Sequence, residues 1–276
     1  DDLSAYLHQA DRERLLLMFQ GIKDKSGGTA HLEFRIRHAD STYRWFDLEG
    51  AAVPTADHRS LRCVGLIREI TAQRRAHERL MHDAVHDSLT SLPNRELFID
   101  RLSMAIASGQ VDPKLRPTVL LLDLDKFKSV NSSFGLVVGD SLLLTVARRL
   151  QRTLSPADTL ARIGGDQFAI LIPSQHDPRE LAMLAERLRR SLRSPIKIAN
   201  QEIVLTGSVG IVGAEASQHD ARELLREAET AMYRAKRAGT DRIEIFTSQM
   251  RAEKDERISI ESDLHRAIEQ DRLTVL

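Results

Sequence analysis

Apolar and polar positions alternate through much of the first seventy residues, then switch to helical spacing and unbroken apolar runs. Residues 11–19 carry an amphipathic helix pattern. Three alternating runs, at 31–37, 43–50 and 61–71, are separated by polar turns and predict an antiparallel sheet. A charged helix is expected from Thr71 to about residue 86, with Thr71 as its cap. Its thin apolar stripe (Ile70, Ala76 or His77, Leu80 or Met81, Ala84) fits either a short parallel coiled coil or a solvated linker. A helix over 96–107 should bury Leu97, Phe98, Leu102, Met104 and Ala105. The run 116–123 is continuously apolar, the mark of a strand covered on both faces. A helical turn from Lys126 to Asn131 and a longer helix over 140–154 follow, the latter turning Leu142, Leu143, Val146, Ala147 and Leu150 inward. Then come strands at 159–163 and 167–172, a helix at 178–191 and a strand at 203–212. A helix at 221–238 closes at Gly239, and a strand at 242–246 follows it. The order β-α-β-β-α-β with additions predicts an α/β (α+β) ferredoxin-like sandwich behind a small N-terminal sheet.

Composition narrows the function classes. Forty basic and forty acidic residues cancel in 276, and aromatics make up 4%. Neither a basic surface nor base-stacking side chains are therefore available, and no nucleic-acid partner is expected. The single cysteine, Cys63, excludes an internal disulfide and suits a reducing cytosol. It lies in an alternating segment and is expected to be a buried small side chain. No apolar stretch reaches membrane-spanning length. The chain begins at Asp1, so the expectation is a cytoplasmic protein or the cytoplasmic part of a membrane-anchored parent.

Candidate chemistry concentrates in two turns. Ala161-Arg162-Ile163-Gly164-Gly165-Asp166-Gln167-Phe168 reads as strand, tight turn, strand. Two glycines permit positive φ and let something large approach the backbone. Upstream, an apolar strand ends at Asp123-Leu124-Asp125. If these strands are neighbours, Asp123 and Asp166 converge at one sheet edge, as a divalent cation with a polyphosphate requires. Taken singly, the same features also fit a plain hairpin turn and a helix-capping aspartate.

The ordered set of motifs separates these readings. Asp87-Ser88-Leu89-Thr90-Ser91-Leu92-Pro93-Asn94-Arg95 comes first. Asp123-Leu124-Asp125-Lys126-Phe127-Lys128-Ser129-Val130-Asn131 follows, then Gly135 and Gly139-Asp140, the Gly-Gly-Asp-Gln-Phe turn, and Ala231-Met232-Tyr233-Arg234-Ala235-Lys236-Arg237-Ala238-Gly239. In that order, over about residues 84–247, the chain closely resembles the GGDEF family of diguanylate cyclase domains. The resemblance implies a nucleotidyl-cyclase type of sandwich that binds GTP with Mg. It implies metal ligation by Asp123, Asp166 and the Leu124 carbonyl. Guanine contacts are implied at Asn131 and Asp140, a phosphate loop at Phe127 and Lys128, nucleotide passage against Gly164 and Gly165, and charge neutralisation by Lys236.

Several positions depart from the family pattern. Gln167 stands where active members carry Glu, and a neutral amide is neither a base nor a strong metal ligand. Ser132 replaces an Asp, Leu136 a His, and Thr240 an Arg that assists Lys236. Ser155 replaces the arginine of the Arg-x-x-Asp product-inhibition motif, whose Asp158 remains. The implied activity is a degenerate cyclase that binds GTP; the alternatives are a weakly active diguanylate cyclase and a nucleotide-free dimerisation module.

Residues 1–70 resemble the C-terminal half of a PAS sensor domain, with Trp45 expected in its core. Residues 71–86 would be a signalling helix through which a homodimer forms. Residues 84–247 would be the GGDEF domain. Residues 248–276 resemble a linker helix and the opening of an EAL-type cyclic-di-GMP phosphodiesterase domain, which implies an EAL domain in cis.

Overall fold

The structure is a computed structural model, and it describes the chain apart from residues 1–4, 25–28, 56–60, 175–176, 199–200, 214–219, 252–267 and 269–276. The linker helix and EAL opening expected over 248–276 therefore lie mostly outside the described residues, as does the Cys63 side chain. The chain divides into two compact units, Asp1–Ala84 and Val85–Leu276.

In the first unit, helix α1 (Gln9–Asp24) precedes strands β1 (Thr29–Arg37), β2 (Tyr43–Pro54) and β3 (Leu61–Glu69), which form an antiparallel sheet in that order. Helix α2 (Thr71–Val85) follows. Alternation works as expected: Leu32, Phe34 and Leu48 share one face and pack with Leu7 and Leu15. Buried Asp11 receives two hydrogen bonds from the Arg35 guanidinium (2.8 and 3.1 Å) and one from the Arg35 backbone N–H. These hold its carboxyl below the usual range despite burial.

Two expectations change here. Trp45 is not a core residue but lies half-buried on the opposite face, between the guanidinium groups of Arg35 (4.9 Å) and Arg74 (4.1 Å). Thr71 is not a free helix cap, because its Oγ1 accepts from the Trp45 backbone N–H at 2.9 Å. Of the apolar stripe, Ile70 is buried, whereas Leu80 and Met81 are exposed.

The second unit is the ferredoxin-like sandwich. Its elements are α3 (Arg95–Val111), β4 (Thr118–Leu124), α4 (Phe127–Phe134), α5 (Leu136–Thr153), β5 (Thr159–Gly164), β6 (Gln167–Ile172), α6 (Pro178–Arg193), β7 (Ile196–Ile198), β8 (Gln201–Ile203), β9 (Gly207–Gly213), α7 (Ala221–Arg237) and β10 (Ile243–Ile245). The five-stranded sheet runs β10-β9-β4-β6-β5. Strand β4 is central and antiparallel to both neighbours, and β10 adds a parallel edge on β9.

Every residue of β4 is buried, as its unbroken apolar character requires. Leu120, Leu122 and Leu124 face a cluster with α5 and α6, while Val119 and Leu121 face α3 and α7. Asp123 continues the second set, so it emerges on the α3/α7 face at the end of the central strand.

The structure differs from the expected elements at three places. Met104 is exposed, because the buried stripe of α3 is Phe98, Leu102 and Gly109. The strand expected over 203–212 is two strands, β8 and β9, and β8 pairs with β7 in a separate hairpin. Helix α5 starts at Leu136, four residues early, because Gly135 at φ +85° breaks the chain there.

Candidate functional site

Asp123 is the centre of the sequence-derived set. The β4–β6 register puts it directly opposite Gln167, and the Gln167 Nε2 donates to Asp123 Oδ2 at 3.0 Å. The Lys236 ammonium, from the last turn of α7, donates to the other oxygen. Asp123 is 4% exposed, so both contacts are little screened. A buried carboxylate with an ammonium and an amide on its two oxygens is already neutralised.

Asp166 sits beside this group in the glycine turn. Burial pushes its carboxyl above the usual range, and the Asp123 charge adds to the shift against weaker pulls from Lys236 and Arg162. Asp166 also accepts, through its backbone carbonyl, from the Leu124 N–H at 3.2 Å. Leu124 is a core side chain, 0% exposed, so only its backbone can reach a metal. Gly164 (φ +154°) and Gly165 (φ +54°) have open space where a side chain would stand. Asp123 and Asp166 form a like-charge pair whose repulsion a divalent oxygen-seeking cation would relieve, and the donor set fits Mg with a polyphosphate.

The other residues of the set lie around the α4–α5 junction. Phe127 is a core side chain, 6% exposed. What the α4 start offers is backbone N–H groups, since Lys126 at the cap position takes a left-handed conformation and gives no side-chain capping bond. Lys128 and Asp140 are exposed. Asn131 turns its buried Oδ1 against Gly139 without a hydrogen-bond partner. A Cβ at position 139 would come within 1.9 Å of that oxygen. Glycine at 139 is thus what allows Asn131 its place. Asn131, Asp140 and Lys128 make no direct contact with the Asp123 group; the link is the short β4–α4 connection.

Three supports were missed in the sequence. The Arg162 guanidinium grips both oxygens of Asp87 (3.0 and 3.1 Å) and the Gly165 carbonyl (2.7 Å). Asp87 in turn accepts from the Thr90 N–H and hydroxyl. Buried Asp125 accepts from Thr206 Oγ1 (2.7 Å), Ser208 Oγ (2.8 Å) and the Asp241 N–H (2.9 Å). Asp241 also pairs with Arg189 and Arg193 of α6. Thr240 and Asp241 both have positive φ, and this network holds them there, next to the end of the helix that carries Lys236. The available signal was Thr206 and Ser208, polar residues inside an apolar strand pattern, which need a buried partner.

Away from this edge, a cavity of about 960 Å³ is lined by residues including Ser155, Asp158, Arg187 and Arg190. Asp158 is engaged locally, accepting from the Ser155 N–H at 2.8 Å.

An antiparallel β9-β4-β6-β5 core with helices on both faces and carboxylates at one end of its central strand is the nucleotidyl-cyclase-like α+β sandwich. The family described as diguanylate cyclase, GGDEF domain, matches residues 84–242, and the chain belongs to that family. A PAS fold family matches residues 1–67.

Among curated relatives, the chain is 38% identical over 205 residues to the bifunctional diguanylate cyclase/cyclic di-GMP phosphodiesterase MucR of Pseudomonas aeruginosa, covering 74% of this chain and 30% of MucR. It is 36% identical over 207 residues to the cyclic di-GMP phosphodiesterase PdeR of Escherichia coli, covering 75% and 31%. The chain thus spans about a third of the length of these relatives. Among solved structures, the GGDEF domain of P. aeruginosa TpbB (YfiN) superposes with a TM-score of 0.59 at 31% identity, covering 62% of this chain and 99% of that one. The coiled coil and GGDEF domain of Caulobacter crescentus DgcB, solved with c-di-GMP, gives 0.58 at 28% identity, covering 64% and 93%. The chain is a GGDEF-domain protein. Among the described residues, no helix is long and apolar enough to cross a membrane.

Proposed function

We propose that this chain is the sensor and GTP-binding portion of a larger cyclic-di-GMP signalling protein. Its GGDEF domain binds GTP with Mg, has weak or absent cyclase activity, and regulates an EAL phosphodiesterase domain that follows in cis. The domains would be the PAS-derived sensor over 1–70, a signalling helix over 71–86, the GGDEF domain over 84–247 and the EAL approach from 248. Asp123 and Asp166, with the Leu124 carbonyl, would hold the metal. Lys236, Gly164, Gly165 and the α4 start at Phe127 and Lys128 would take the phosphates. Asn131 and Asp140 would take guanine, the carboxylate accepting from the ring N–H and amino donors and the amide donating to the oxygen.

The observation that carries this reading is the Gln167–Asp123–Lys236 contact. Where active members of the family carry a carboxylate, this chain has an amide that donates to Asp123. The amide gives up no negative charge to a metal and takes no proton from a 3′-hydroxyl. The metal supplies charge neutralisation and polarisation at the phosphates; the side chains bind and orient the nucleotide.

A homodimer through α2 fits the exposed Leu80 and Met81. A second reading, a slow but real diguanylate cyclase, has support in the relatives, since TpbB is named a diguanylate cyclase and is 36% identical over 159 residues.

Calorimetric titration with GTP and Mg²⁺ tests the binding, and heat that saturates is expected. Its absence would favour a nucleotide-free interaction module. Incubation with GTP then separates the other two readings: repeated turnover to cyclic-di-GMP would establish a cyclase.

A further inference from the structure

The N-terminal sheet carries a cluster that the nucleotide chemistry does not use. On the face opposite Leu32, Phe34 and Leu48, His31 of β1 stands directly across from Glu49 of β2. Asp47, two residues along β2, shares that face. One ligand atom from each of the three lies within 4.8 Å of the others. His31 Nε2 and Asp47 Oδ1 approach to 2.5 Å, and that buried oxygen has no hydrogen-bond donor besides this contact.

The surrounding charges are already committed. Arg74 pairs with Glu33, the next β1 residue on this face. Arg35, two further on, is held by Asp11. Arg68 stands opposite Asp47 on β3. Two carboxylates on neighbouring same-face positions therefore face one imidazole, and a bound cation would relieve their mutual repulsion.

We propose that His31, Asp47 and Glu49 form a binding site for a divalent transition metal of the Zn²⁺ class. One imidazole nitrogen with two carboxylate oxygens suits zinc or cobalt better than the all-oxygen preference of magnesium or calcium. Three protein ligands leave a coordination position for water or a further ligand. The register of two paired strands fixes the Cα positions, so only side chains move on binding. Nitrogen and oxygen ligands about 2.0–2.1 Å from a tetrahedral ion stand about 3.3 Å apart. A small rotation of the exposed His31 ring opens the present approach to that separation. The metal would staple β1 to β2 and make the sensor unit responsive to metal supply.

The test is titration of the purified chain with Zn²⁺ by calorimetry and with Co²⁺ by visible absorption. Saturable binding is expected, with Co²⁺ bands showing nitrogen and oxygen ligands. His31→Ala should weaken this binding by about tenfold or more, the scale on which even indirect metal partners act, and Glu49→Gln should weaken it severalfold. The His31-dependent binding should persist with the nucleotide edge saturated by Mg²⁺ and GTP, which separates the two sites. His31 is 60% exposed and Glu49 is exposed, so both variants should keep the wild-type circular dichroism spectrum. Isotherms of His31→Ala and Glu49→Gln that superpose on wild type would overturn the assignment, as would loss of all Zn²⁺ binding when Mg²⁺ and GTP saturate the nucleotide edge.

Discussion

Asp123 shows how one substitution changes a carboxylate's role. With Glu at position 167, the central strand would end in a cluster of acids that only cations satisfy. With Gln167, the amide donates to Asp123 and Lys236 supplies the positive charge, so the group is satisfied by the protein itself. Gln167→Glu should therefore destabilise the metal-free chain by about 1–3 kcal/mol, the worth of a charge-assisted hydrogen bond replaced by repulsion. Mg²⁺ should restore much of that loss. Urea unfolding with and without Mg²⁺ checks both, and an unchanged midpoint in metal-free buffer would contradict the account. Cyclase activity should return weakly at most, because Leu136 and Thr240 remain. Asp166 has the opposite sign. Its folded-state pKa is raised by burial and by Asp123, so its contribution to stability is present at low pH and is lost as pH rises through the raised value. Once ionised, the group therefore strains the metal-free fold. At pH above that value Asp166→Asn should raise stability by about 0.5–1 kcal/mol, within the usual range for relieving a site tuned for function. The same variant should lose stabilisation by Mg²⁺ with GTP. Thermal melts of the two proteins, with and without ligand, should cross in order.

The glycine turn keeps its shape through a long-range clamp rather than through its own sequence. Arg162, at the end of β5, bonds the Gly165 carbonyl and the Asp87 carboxylate together, so the turn is fastened to the segment that precedes α3. Burial opposes ionisation of Asp87, but the hydrogen bonds from Thr90 and Arg162 outweigh it and hold the carboxyl below its usual range. A depressed folded pKa gives stability that is complete above the unfolded value, near 3.9, and is lost as pH falls through the folded one. Arg162→Ala should cost about 1–3 kcal/mol at neutral pH and flatten this part of the acid-unfolding profile. It should weaken GTP binding without altering the residues that touch the nucleotide. A wild-type profile and affinity in that variant would show the clamp to be idle. Asp87 and Arg162 are 75 positions apart, and no local pattern joins them; only the folded sheet does. The elements themselves were largely legible. The apolar run of β4, the glycine turn and the helical spacing of α6 and α7 each follow one period closely. Misreadings came where a second constraint intervened. Met104 fits the composition of a buried stripe but falls on the solvent side of α3. Gly135 starts α5 earlier than Asp140, the better capping residue, would have done. Trp45 is large and apolar, yet it serves as a platform for two arginines on the outer face of its sheet. The Asp123, Asp166 and Lys236 grouping could be anticipated from motif order, whereas the network around Asp125 depends on Thr206 and Ser208 at the start of β9 and on Asp241 after α7, brought together only in the fold.

The division into a PAS-like unit and a GGDEF unit raises the question of what the proposed GTP-binding domain would contribute to the whole protein. Occupancy alone regulates nothing: GTP can shift an equilibrium only by the difference in its affinity for the two states. If GTP binding here favours the active arrangement of a phosphodiesterase domain that follows, the coupling must run both ways. The factor by which GTP with Mg²⁺ changes the affinity for cyclic-di-GMP at the phosphodiesterase must equal the factor by which cyclic-di-GMP changes the affinity for GTP. Couplings of this kind are typically about 5–150-fold. We therefore expect that, in the parent protein, saturating GTP lowers the apparent Kd for a non-hydrolysable cyclic-di-GMP analogue by about fivefold or more. The analogue should tighten GTP binding by the same ratio. Asp166→Asn, which removes a proposed metal ligand and not the fold, should bring both ratios to one. Lys236→Ala should do the same by a different route, taking away the cation that holds Asp123 and would neutralise the phosphates. Two titrations in each direction measure the pair of ratios. Ratios of one in the wild-type parent, with GTP demonstrably bound, would leave the site a passive binder and refute the regulatory reading. A shift that persists in both variants would place the coupling somewhere other than the Asp123 edge of the sheet.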